Sequence, residues 1–142
     1  MKRFLKLLFL PVFILFLSAC GHGDETVSPP VSNDSNIQAG VWKVSFFSDN
    51  GNDETNHFTG YEFAFNANGS ATASNGGSTV NGTWKTGTDD DQAKLELNFG
   101  NTSPFDELNN DWHILNTNNT TILLEDVSGG NGGTDALTFT KI

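Results

Sequence analysis

The sequence predicts an all-β domain of eight short antiparallel strands closed into an up-and-down barrel. Three observations carry that reading. From Gly40 to Ile142 apolar residues recur at every second position, the period of a strand with one buried face. Turns rich in Asn and Gly separate the apolar runs, as hairpins require. No run of ten residues in this region carries a helical stripe. Eight such strands either close into a barrel or split into a sandwich. Tight hairpins between consecutive strands favour the barrel, and closure removes the edges that invite aggregation.

The strands are placed at 41–48, 57–67, 70–75, 78–86, 93–100, 111–117, 120–127 and 135–142. Trp42, Val44 and Phe46 share the inner face of the first. Tyr61, Phe63 and Phe65 share that of the second, with Glu62, Ala64 and Asn66 opposite. Val80 and Trp84 alternate with Thr79, Asn81, Thr83 and Lys85, and Leu95, Leu97 and Phe99 alternate with Lys94, Glu96 and Asn98. Trp112 with Ile114, and Leu137 with Phe139, continue the pattern, whereas Thr121 to Glu125 has no clear phase. Asn68-Gly69, Asn75-Gly76-Gly77 and Asn118-Asn119 supply hairpin turns, and Ser128 to Gly133 a loose loop. One short helical turn is expected near 103–110. Ser103 suits its cap, Pro104 its first position, and Asp106 and Glu107 the positive end of its dipole. Phe105 and Leu108, three apart, would then face inward and plug one end.

The chain begins differently. Lys2, Arg3 and Lys6 precede an apolar run of 11 residues from Leu7 to Leu17, followed by the small residues Ser18, Ala19, Cys20 and Gly21. This is the layout of a secretory signal. A membrane-spanning helix would need about 20 apolar residues, and Pro11 interrupts this run. Leu17-Ser18-Ala19-Cys20 resembles the lipobox of bacterial lipoproteins. The resemblance implies that residues 1–19 are removed and that Cys20, the only cysteine, is acylated with palmitate-type chains. An ordinary signal peptide with an incidental cysteine is the competing reading, and it leaves a secreted domain with one odd thiol. The implied address is the cell envelope, anchored in the outer membrane. Residues 20–38 are polar, contain Pro29-Pro30 and lack periodicity, which marks a tether spanning about 20–25 Å. Asp24-Glu25 is similar to acidic signals that send some Gram-negative lipoproteins to the outer surface; as plain residues they are a solvated linker.

Residues 39–142 form the barrel domain. Its opening Gly40-Val41-Trp42 resembles the Gly-x-Trp of lipocalins, in which the tryptophan packs across the closed end of the barrel. The segments Gly60 to Gly69 and Val80-Asn81-Gly82-Thr83-Trp84 are similar to the short lipocalin-like domains of bacterial lipoproteins. The chain lacks a Thr-Asp-Tyr motif, a cysteine pair and a late arginine to stack on Trp42, with Lys141 the nearest substitute. The resemblance implies a barrel that often holds a small apolar ligand.

Charge narrows the partners. Beyond residue 19 the chain has seventeen acidic residues against four lysines and no arginine, a formal charge of −13. Such a chain gains nothing from counterion release, which excludes nucleic acid as a partner. Anionic headgroups repel it, so the membrane is met only through acyl chains on Cys20. A monomer is expected.

Two functions fit the inner face. Trp42, Phe46, Tyr61, Phe63, Phe65, Trp84, Phe99 and Trp112 either line a pocket for a small apolar ligand or fill the interior of an eight-stranded barrel, which is just wide enough for side chains. In the second case the loops 49–57 and 100–111 would recognise an envelope protein or a glycan. Catalysis is not expected, because no Gly-x-Ser-x-Gly elbow is present and the neighbouring carboxylates lie in turns or on opposite strand faces. No cofactor or metal is expected either. His22, His57 and His113 are dispersed. Asp49 to Glu54 lacks the glycine an EF-hand needs at its sixth place, and Gly129 to Leu137 misses the calcium β-helix repeat by one residue.

Overall fold

The computed structural model describes residues 33–127 and 133–142. The signal segment, Cys20, His22, Asp24-Glu25 and most of the Ser128 to Gly133 loop lie outside the described residues. The elements run α1 (Asp34–Gln38), β1 (Val41–Asp49), β2 (Asn52–Asp53), a first 3₁₀ turn (Thr55–Phe58), β3 (Glu62–Phe65), β4 (Ser70–Asn75), β5 (Ser78–Asp89), β6 (Gln92–Asn98), a second 3₁₀ turn (Phe105–Leu108), β7 (Asn110–Thr117), β8 (Thr121–Val127) and β9 (Thr134–Lys141). Every strand pairing is antiparallel. From β3 to β9 each strand pairs with the next, and β1 pairs with both β3 and β9. The sheet is therefore an eight-stranded closed barrel, with β2 as a short appendage to β1.

The expected second strand is shorter than its apolar pattern. Gly60 takes a left-handed backbone at φ +81, which ends extended structure before Tyr61, so β3 starts at Glu62. The upper half of β1 would then lack a partner on that side. Residues 52–55 supply one: Ser48 faces Asp53, Asp49 faces Asn52, Glu54 N–H donates to the Phe47 carbonyl at 2.9 Å, and Phe47 N–H donates to Thr55 Oγ1 at 2.8 Å.

Phe46 departs from the strand alternation, which puts it on the inner face with Trp42 and Val44: it is 40% exposed while Phe47 is buried. The register of β1 against β9 shifts between Val44 and Phe46, so Ser45 is an extra residue that reverses the phase of the strand. The Ser45 hydroxyl, on the outside, donates to the Thr138 carbonyl. A second bulge at Leu115 in β7 leaves Leu115 outward in the same manner.

Two connections depart from their expected form. β5 and β6 extend to a two-residue turn in which Asp90 and Asp91 both take positive φ (46 and 63). That is the backbone a two-residue hairpin demands, and aspartate tolerates it. The helical turn near 103–110 is present as a 3₁₀ turn. It begins at Phe105 rather than at Pro104, and Ser103 makes no capping bond. Phe105 and Leu108 are buried, as their spacing implies.

Gly82 marks a close approach. A methyl group there would lie 2.6 Å from the Asn98 carbonyl oxygen and 2.6 Å from the Phe99 ring. Gly87, five residues along β5, has nothing within 4 Å. Gly82→Ala is expected to cost about 1–3 kcal/mol in urea unfolding, the range for overpacking. Gly87→Ala leaves the midpoint unchanged or slightly raised. Equal effects at both positions would show that the Phe99 contact does not constrain β5.

Candidate functional site: the barrel interior and its two closures

The interior is crossed by a continuous path of aromatic rings. Trp112 meets Phe47 at 6.5 Å, Phe47 meets Phe58 at 5.4 Å, and Phe58 meets Phe63 at 6.4 Å. Phe63 then meets Phe139 at 5.3 Å, Phe139 meets Phe65 at 5.5 Å, and Phe65 meets Trp84 at 5.8 Å. Each contact is edge-to-face, the arrangement ring quadrupoles favour. Of the eight residues named for the inner face, Trp42, Phe63, Phe65, Trp84, Phe99 and Trp112 are buried and pack in this core. Tyr61 stands at its edge, 4.8 Å from the Phe105 ring. Phe46 alone faces outward.

One end is closed by α1. Residues 33–38, assigned to the tether by their polarity, form a one-turn helix that docks on the barrel. A helix of this length is not stable by itself. Its Ile37 is completely buried, and its carbonyl accepts the Trp42 indole N–H at 2.8 Å. Thr86 donates a hydroxyl bond to Asp34, and Thr117 donates one to Asn33 Oδ1 at 2.8 Å. Lys141 does not occupy the role of a stacking arginine. Its ammonium donates to the Ala39 carbonyl at 2.8 Å, with its side chain laid over Gly40.

The other end is closed by the two 3₁₀ turns. Phe58 and Phe105, one from each, are buried with ring centroids 5.8 Å apart. Asn109 clamps the base of the 100–109 loop, accepting the Phe99 N–H and donating to the Gly100 carbonyl at 2.6 Å. On the outer side of this cap, His57 Nδ1 lies 2.9 Å from Glu107 Oε2 and 3.8 Å from Glu54 Oε2. The Glu107 hydrogen bond raises the His57 pKa above its ordinary 6.5; desolvation opposes it and the charges of Glu107 and Glu54 reinforce it. Along the sequence His57 is one of three dispersed histidines, with the pattern of a surface residue. Glu107 is fifty residues away, and no local spacing announces their meeting.

Several other carboxylates bond to groups close by. Asp49 to Glu54 folds as a hairpin turn in which Asp53 accepts both the amide and the hydroxyl of Thr55. On the outer wall Lys85, Thr88, Asp89, Lys94, Glu96 and Asp111 edge a shallow groove of about 210 Å³. Lys94, largely covered, donates to Asp89 at 2.8 Å and Asp111 at 2.9 Å, and Lys85 pairs with Glu96 at 2.8 Å. Each charged side chain of the groove thus meets an opposite charge, two lysines against three carboxylates.

The Lys94 bond holds the Asp89 pKa below its ordinary 3.8. A depressed carboxylate stabilises the fold above its unfolded value and loses that contribution as pH falls through the folded one. Lys94→Met is therefore expected to melt below the wild type at neutral pH, with the gap closing as pH falls below 3.8. A gap of constant size from pH 7 to about 2 would assign the loss to packing rather than charge.

No family model matches the chain, and no curated protein does so. Two solved structures are similar to it. A DUF4847 family protein from Bacteroides vulgatus ATCC 8482 is 20% identical over 73% of this chain and 93% of its own, with a TM-score of 0.48. A lipocalin-like protein from Bacteroides uniformis ATCC 8492 is 15% identical over 75% of this chain and 99% of its own, also with a TM-score of 0.48.

Proposed function

We propose that this chain is a lipid-anchored protein of the cell envelope whose solid barrel performs no chemistry and recognises a partner through its capped end. The observation that carries the reading is the unbroken ring path from Trp112 to Trp84. The space a small apolar ligand would occupy is taken by Phe63 and the rings around it. Function then moves to the surface, where a rigid scaffold presents loops.

The loops 49–57 and 100–111 lie at one end and are joined through Phe58, Phe105 and the His57–Glu107 bond. The chain enters at the opposite end, through α1. With acyl chains on Cys20 in the outer membrane, the tether joins the end opposite the cap and leaves the cap accessible to a partner. The partner is an envelope protein or a glycan. The apolar run before Ser18-Ala19-Cys20 supports the anchor, and the ring-filled interior supports a non-catalytic, ligand-free barrel.

Three measurements test the proposal. A clickable palmitate analogue is expected to label the full chain in cells and to leave Cys20→Ser unlabelled. Fluorescent fatty-acid and retinoid probes are expected to show no saturable emission change with the wild-type protein. Saturable binding that Phe63→Ala weakens would replace this reading with an open, ligand-holding barrel. Pull-down from envelope extracts is expected to lose its partner when the exposed loop residues Asn52, Asn56, Asn101 and Asp106 are together changed to alanine, with the β spectrum retained. Equal recovery by both proteins would reject recognition through the cap.

A further inference from the structure

We propose that Glu54, His57 and Glu107 form a binding site for a divalent ion of the zinc class. The three side chains come from two elements that are distant in sequence and meet at the cap: Glu54 and His57 at the first 3₁₀ turn, and Glu107 on the second. One ligand atom from each lies within 4.8 Å of the others. The His57 Nδ1 separations are 2.9 Å to Glu107 Oε2 and 3.8 Å to Glu54 Oε2. Nitrogen and oxygen ligands about 2.1 Å from a tetrahedral zinc sit about 3.4 Å apart, between those two values. Small rotamer adjustments bring all three onto one ion.

The chemistry matches a borderline ion rather than a hard one. Calcium and magnesium take oxygen ligands, whereas an imidazole beside carboxylates suits zinc and its neighbours. Two carboxylates and a neutral imidazole carry a charge of −2, which the ion balances. A proton on His57 balances only half of it. The side chains are about one-third exposed (37% for His57, 28% for Glu54 and 30% for Glu107), so the ion enters from solvent and water completes its shell. The imidazole sets this cluster apart from the acidic turns elsewhere. Asp89 and Asp111, by contrast, are engaged by Lys94. Bound zinc would cross-link the two turns whose Phe58 and Phe105 plug the barrel.

The test is calorimetric titration of ZnCl₂ into the full chain in detergent, without a polyhistidine tag and with magnesium and calcium present in excess. One saturable site is expected. Glu107→Gln and His57→Gln should each weaken it by at least about tenfold, while His22→Gln, in the segment before α1, leaves it unchanged. At zinc about a hundredfold above the dissociation constant, the wild-type melting temperature should rise by about 10 °C, with little change in Glu107→Gln. Glu107→Gln keeps the shape of the side chain and removes only its charge, and its β spectrum in the absence of zinc checks that it folds. No saturable binding up to about 1 mM zinc, or equal affinity in both variants, overturns the site.

Discussion

The architecture depends on satisfying three indole N–H groups inside an apolar barrel. A buried donor without an acceptor costs about 1–3 kcal/mol, so each tryptophan must find a carbonyl. None finds it on a neighbouring strand. Trp42 donates to Ile37 in α1, Trp84 to Asn66 at 2.9 Å beside the β3–β4 turn, and Trp112 to Leu108 at 3.0 Å in the second 3₁₀ turn. The same rings that fill the core therefore fix the segments that close it. Ring packing and end closure are one constraint, because a turn displaced from the barrel mouth would strand an N–H among apolar neighbours.

That coupling explains which parts of the structure were legible from residues alone. Alternation is a local property, and the inner faces of β3 and β6, with Trp84 and Phe139, followed from it directly. So did the inward pair Phe105 and Leu108, because three residues make one 3₁₀ turn. What failed was phase across an irregularity. Ser45 carries no signature of a bulge, yet one inserted residue moves Phe46 to the outside and brings Phe47 in. The α1 helix was hidden for a different reason. A single turn is too short to show a period, and its one apolar residue, Ile37, stands in a polar stretch. The partners of the candidate site were hidden by distance: Glu107 reaches His57 only after the barrel brings β2 and β6 to the same mouth.

The two bulges also account for two of the apolar residues left in solvent, Phe46 and Leu115. Phe46 pairs with Thr138, Thr138 with Leu123, and Leu123 with Asn116 beside Leu115. Phe46, Leu123 and Leu115 are thus placed along one row across four adjacent strands on the outer wall. On a regular β1 strand Phe46 would have faced the core. The barrel accommodates seven residues of β1, Trp42 to Ser48, against six of β9, Ala136 to Lys141, by letting the strand turn one large side chain outward, and Phe47 supplies the ring that the core needs.

Charge is distributed with the same economy of position. Among the described residues three of the four lysines are held on the walls or at the α1 end, Lys85 by Glu96, Lys94 by Asp89 and Asp111, and Lys141 by the Ala39 carbonyl; Lys43 stands exposed on β1. Among the described residues the capped end has no lysine. Asp49, Asp53, Glu54, Asp106 and Glu107 gather there, with His57 the one group able to carry a positive charge. In water such a rim draws cations, and most strongly where low-dielectric walls focus the field. Phe58 and Phe105 provide that wall directly beneath His57 and Glu107. A cationic group approaching the cap therefore meets a carboxylate field backed by apolar rings, while one approaching the groove on β5 and β6 meets carboxylates already paired with Lys85 and Lys94.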